Sequence, residues 1–155
     1  MLTTEKITTG MITKEQWSQL QQQLASSHVV VTLELDGNRL TIERRHMTEN
    51  RTALCVFING SIRIGSGWPD SDHFSSLTEK VWRKRSKALY GPAKIKQLEK
   101  ELGKRGARQV FSKLDKTIEW FDPTFNTAAS LVRQFKRLQG LTLVSINGQP
   151  VQEAA

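Results

Sequence analysis

The strongest constraint on the fold lies between residues 28 and 65. HVVVTLEL alternates apolar and polar side chains, which puts Val29, Val31, Leu33 and Leu35 on one face of an extended strand. Asp36-Gly37-Asn38 follows as a hairpin signal. RLTIERRHM resumes the alternation through Leu40 and Ile42, and Thr48-Glu49-Asn50 reads as a second turn. TALCVFI is apolar at nearly every position, so it is expected to be a central strand covered on both faces. Asn59-Gly60 suits a type I′ turn, whose two central residues need positive φ, and SIRIG is expected as a short fourth strand. These elements make an antiparallel meander. Cys55 alternates with Ala53 and Phe57, which predicts a buried, inert thiol.

Helical periodicity flanks the meander. Residues 1–12 read as a loose arm, and Thr13 is placed to cap a helix within 13–27 that carries Trp17, Leu20 and Leu24 inward. After Gly65, GSGWPDSD is a loop, and residues 72–139 are expected to be helices. Ser76 to Glu79 matches a capping box, with Phe74, Leu77, Val81 and Ala88 on one face and Lys80, Arg83, Lys84 and Lys87 opposite. Arg85 breaks this pattern by falling among the apolar positions. Its long stem snorkels out, the helix unwinds early, or it stands at the mouth of a groove.

Tyr90-Gly91-Pro92 interrupts the helices, with Pro92 as the first residue of the next one. Ile95, Leu98 and Leu102 form a narrow apolar stripe there, opposite Lys96, Lys100 and Lys104. Gly103 and Gly106 bracket Lys104-Arg105 as a tight basic connection. A further helix is expected through Ala107, Val110, Phe111, Leu114, Ile118 and Phe121, ending at Asp122-Pro123. Asn126 or Thr127 caps the last helix, in which Leu131, Val132, Phe135 and Leu138 face inward, and Gly140 stops it. LTLVSI, residues 141–146, is a terminal strand positioned to join the meander, and GQPVQEAA is a tail. The 155 residues therefore predict one α+β domain, a four- or five-stranded antiparallel meander packed with a helical C-terminal half.

Charge is distributed unevenly over this frame. Residues 80–116 hold thirteen Lys and Arg against three acids, a net of +10, whereas the whole chain is +8. Everything outside the window is therefore net negative. A solvated helix face normally mixes signs, so this bias points to a polyanionic partner. The candidate nucleic-acid-binding residues are Arg83, Lys84, Arg85, Lys87, Lys94, Lys96, Lys100, Lys104, Arg105, Arg108, Lys113 and Lys116. Trp82, Tyr90, Phe111 and Trp120 interleave with them, a combination that suits phosphate contacts with base stacking. The partner expected is DNA or RNA, and the alternative is an acidic protein.

Catalytic patterns are missing from the sequence. There is no phosphate-cradling Gly-rich loop, no Gly-x-Ser-x-Gly and no Cys/His pairing in context, so no enzymatic activity and no cofactor are expected. His28, His46 and His73 are scattered. Asp70 and Asp72 beside His73 suit helix capping better than metal binding. One cysteine rules out an intramolecular disulfide and fits a reducing cytoplasm. The opening residues show no signal-peptide pattern, and no stretch approaches the length of a membrane span.

Three stretches taken together carry a resemblance. FINGSIRIGSGW is followed by VWRKRSKALYGPAKIKQLEKELGKRGARQVF and then by FDPTFNTAASLVRQFKRLQGLTLV. This order resembles small basic proteins encoded in bacteriophage and prophage genomes, a group without an established activity. The resemblance implies a phage-derived setting, with roles in DNA metabolism or in blocking host defence proteins, and it carries over no catalytic residue.

Overall fold

The computed structural model describes residues 12–150, except the side chain of Ile64. The expected N-terminal arm and the end of the C-terminal tail lie almost wholly outside these residues. In chain order the first half comprises α1 (Lys14–Leu24), β1 (Val30–Leu35), β2 (Asn38–Thr48), β3 (Arg51–Ile58) and α2 (Ser76–Val81). The second half comprises β4 (Arg83–Ala88), α3 (Pro92–Val110), β5 (Thr117–Asp122), β6 (Thr124–Phe125), α4 (Ala128–Phe135), β7 (Thr142–Ile146) and β8 (Gln149–Pro150). The class is α+β. Among the described residues, those through Arg83 and from Phe121 onward form one compact unit, and Lys84–Trp120 form a second.

The first unit is built on a six-stranded sheet in the order β6-β3-β2-β1-β7-β8, antiparallel throughout. Val31 stands opposite Ile42 and Leu33 opposite Leu40, so the alternation read from the sequence meets in one register. Asp36-Gly37, Asn59-Gly60 and Asn147-Gly148 all adopt positive φ at both residues, as type I′ turns require. β3 lies between two partners and buries Ala53 to Val56 consecutively. Cys55 is among them, and burial raises its thiol pKa, which keeps it protonated and unreactive.

Helices cover this sheet for local reasons. Thr13 closes a reciprocal capping box with Gln16 at 3.1 and 2.8 Å. Trp17, Leu20 and Leu24 then enter one core with Leu33, Leu40, Leu131 and Phe135. At the other end of α1, Arg44 donates to the Leu24 carbonyl at 2.7 Å and to the Ser26 carbonyl at 3.0 Å. It thus satisfies carbonyls that a helix terminus leaves without partners. Thr127 caps α4 through the Ser130 N–H.

Five expectations are corrected. SIRIG forms no fourth strand: Ser61 makes only an isolated bridge to Ile58, and Ile64–Gly67 is a short 3-10 turn. The helix after residue 72 is brief, capped by Ser75 rather than Ser76, and ends at Val81. Residues 83–88, expected on that helix, are strand β4, and residues 117–122, expected on another, are strand β5. The tail begins as β8, which pairs with β7.

The reason for the second correction is tertiary. Trp82 is 2% exposed, and its Nε1 donates to the Val56 carbonyl at 3.0 Å. The Gln134 side-chain amide donates to the carbonyls of Lys80 and Trp82 at 2.9 and 2.8 Å. Those carbonyls are satisfied from outside, so the helix need not continue. Continuing it would also stack Lys80 over Lys84 and Arg83 over Lys87, like charges four residues apart.

Candidate nucleic-acid interface

Residues Lys84–Trp120 hold eleven Lys and Arg against four acids, a net of +7 in a chain of +8. The unit combines most of a two-stranded ribbon, β4 with β5, and the helical segment α3. Lys84 meets Glu119 at 3.3 Å, and the Leu89 N–H donates to the Lys116 carbonyl at 2.9 Å, so the strands run in opposite directions. Every residue from Lys84 to Ala88 is exposed, as are Thr117 to Glu119. Strand alternation puts Arg83, Arg85 and Lys87 on one face of β4. On that face the Arg85 guanidinium lies 5.4 Å from the centre of the Trp120 ring, within range of a cation–π contact.

α3 is a hairpin of two helical pieces. Gly103 has φ 76° and ψ 162°, outside helical space and in a region only glycine occupies readily. Arg108 Nη1 bonds Glu99 Oε2 at 2.8 Å. In a straight helix nine residues span about 13.5 Å along the axis, so this pair requires the fold-back at Gly103. The same fold-back brings Ala107 and Leu114 onto Leu98, with Tyr90, Ile95 and Phe111 around them. Gly103→Ala adds no steric contact, since nothing lies within 4 Å of the new methyl, yet it strains the backbone. We expect a loss of about 1–3 kcal/mol, seen as faster amide exchange across Pro92–Val110 with the sheet unaffected.

Arg108 is the clamp of this hairpin. Beyond Glu99 it holds Asp115 in a fork, Nε to Oδ2 at 2.6 Å and Nη2 to Oδ1 at 2.9 Å, and donates to the Lys104 carbonyl at 2.9 Å. The Arg108 hydrogen bonds lower the Asp115 carboxyl below its ordinary 3.8. A lowered acid stabilises the fold above its unfolded value, and that contribution disappears as pH falls through the folded one. Acid unfolding of this unit below about pH 3.8 should therefore lose its Asp115 component in Asp115→Asn, which is already weakened at neutral pH. Circular dichroism along an acid titration checks this.

The twelve candidate cations therefore divide. Arg83, in the sheet-bearing unit, donates to the Thr124 carbonyl at 3.1 Å and lies 3.8 Å from Asp122. Lys84 is paired, Arg85 is stacked and Arg108 is clamped. Lys87, Lys94, Lys96, Lys100, Lys104, Arg105, Lys113 and Lys116 are all exposed, and none has an acidic partner among the described residues. The break at Gly103 takes Lys104 out of the helical register that Lys96 and Lys100 share. Of the four aromatics, Trp82 is core, and Tyr90 and Phe111 pack edge to face at 6.1 Å. Trp120 alone stands on the ribbon. The misfit of Arg85 on a helical wheel was the one sequence signal of this ribbon.

Among the described residues no cluster of His, Cys, Asp or Glu could hold a metal ion, and no helix is long and apolar enough to cross a membrane. No family model matches the chain, and no curated protein or solved structure is similar to it.

Proposed function

We propose that the chain binds nucleic acid without catalysing a reaction, through phosphate contacts made by Lys84–Trp120. The carrying observation is the set of eight exposed cations without acidic partners among the described residues, in a unit whose other charges are largely consumed by Glu99, Asp115 and Glu119. Concentrated positive charge of this kind binds phosphates by releasing condensed counterions. A two-stranded ribbon and a helix are both forms that a duplex major groove admits, and Arg85 stacked on Trp120 offers a platform for an unpaired base. A cytoplasmic, phage-derived setting belongs to the proposal and rests on the sequence resemblance and the lone cysteine.

A second reading has its own observation. Leu89, Leu102, Val110 and Ile118, all in the basic unit, are 39, 43, 65 and 37% exposed. Apolar side chains among cations suit an acidic protein surface as well as a phosphate backbone. Pull-down from lysate with and without nuclease separates the readings. Partners lost on digestion support nucleic acid; partners that survive it, with no retained oligonucleotide, support a protein.

A further inference from the structure

We infer that the sheet-bearing unit contains a second site, one that holds a tetrahedral oxyanion of the phosphate class. A cleft of about 260 Å³ opens there, lined by Ser61, Arg63, Ser66 and His73, with Trp82 in its wall. Its loop is pressed into place by two glycines. A Cβ on Gly67 would overlap the Phe121 carbonyl oxygen, and one on Gly65 would stand 2.8 Å from Ser71 Oγ and 3.2 Å from the His73 ring. Backbone that close to its neighbours holds the turn at residues 65–67 against Ser71, His73 and Phe121.

The side chains of the donor set have no partner among the described residues. Ser66 is only 8% exposed, and its side chain makes no hydrogen bond among the described residues, yet none of their buried side-chain polar atoms is without a partner. Its hydroxyl is therefore accessible from the cleft, where it is available to donate to a ligand oxygen. The Arg63 guanidinium likewise forms no ion pair or hydrogen bond among these residues. The Asn59 amide donates to Asn38 at 3.0 Å, and the hydroxyls of Ser75 and Thr78 meet at 3.2 Å, so those residues shape the wall.

Among the described residues no Asp or Glu lines the cleft. A cation would find no anionic ligand there, whereas an oxyanion meets a guanidinium fork, an imidazole and two free hydroxyls. The volume lies below the roughly 300–1,000 Å³ of pockets for drug-sized ligands, so the occupant is a single group. Free phosphate and the phosphate of a nucleotide share this chemistry. All of these lining residues lie outside Lys84–Trp120, so the site does not rest on the nucleic-acid reading.

Calorimetric titration of the full chain tests it, using inorganic phosphate and a nucleoside 5′-monophosphate at ionic strength fixed with chloride. Saturable binding of inorganic phosphate is expected, with a Kd on the order of 1 mM or tighter. Arg63→Gln should weaken it at least tenfold, whereas Lys96→Glu with Lys100→Glu should leave it unchanged. Tighter binding of the monophosphate assigns the group to a nucleotide, and weaker binding assigns it to the free ion. Amide shifts on adding phosphate to the wild-type chain should centre on Ser66 and His73, which keeps the test decisive if Arg63→Gln misfolds. Absence of saturable binding, shifts confined to Lys84–Trp120, or a folded Arg63→Gln that binds equally well would overturn the site.

Discussion

Trp82→Ala is expected to destabilise the sheet-bearing unit by about 3–5 kcal/mol, the largest stability effect of any substitution considered. The indole is 2% exposed and packs in the same core as Leu33, Leu54 and Phe135. Its removal leaves a cavity and also deprives the Val56 carbonyl of its donor. In a chain of this size each kcal/mol lowers Tm by about 2–4 °C, so the loss is readily measured. Trp82→Phe shrinks the cavity while still losing the hydrogen bond, so it should cost less, about 1–3 kcal/mol. Urea unfolding of both variants reads the difference. A loss below about 1 kcal/mol for Trp82→Ala would contradict the role given to this residue, that of ending α2 and anchoring the start of β4.

The second large effect is on binding. Lys96→Glu with Lys100→Glu changes the Lys84–Trp120 unit from +7 to +3. Both side chains are exposed and lie away from half-buried Ile95 and buried Leu98, so stability should move by no more than about 0.5 kcal/mol. Nucleic-acid affinity should fall for every sequence alike, and the salt dependence should become shallower by about 2, one for each lost phosphate contact. Unchanged binding by this folded variant would remove Lys96 and Lys100 from the interface.

The sheet was legible because its signals were local. Alternation at Val29 to Leu35 and at Leu40 and Ile42, with Asp-Gly and Asn-Gly turns, needs no knowledge of distant residues. α1 and α4 announced themselves through Thr13, Thr127 and helical spacing. β4 was not legible, because nothing within RKRSKA alternates apolar with polar, and in TIEWFD only Ile118 and Trp120 do so. β4 is a strand because Trp82 is held by Val56 and Gln134, 26 and 52 residues away. Ile118 and Phe121 happen to continue the helical spacing of Ala107, Phe111 and Leu114, which concealed β5.

The candidate site was legible as charge and not as geometry. Counting Lys and Arg located the unit. Which cations are occupied depends on Glu99, Asp115 and Glu119, and on a fold-back at Gly103 that brings residues nine apart together. The sequence placed Gly103 at a turn, yet the same reading kept Lys104 in line with Lys96 and Lys100.

On the reading proposed above, the Lys84–Trp120 unit binds nucleic acid by neutralising phosphates. Fluorescence anisotropy with labelled duplex DNA, single-stranded DNA and RNA, between about 50 and 300 mM salt, tests it most directly. Six phosphate contacts predict that log K falls linearly with log salt, with a slope of roughly −5 for duplex and −4 for single strands. No binding to any of the three at the lowest salt, or binding whose affinity does not respond to salt, would contradict it.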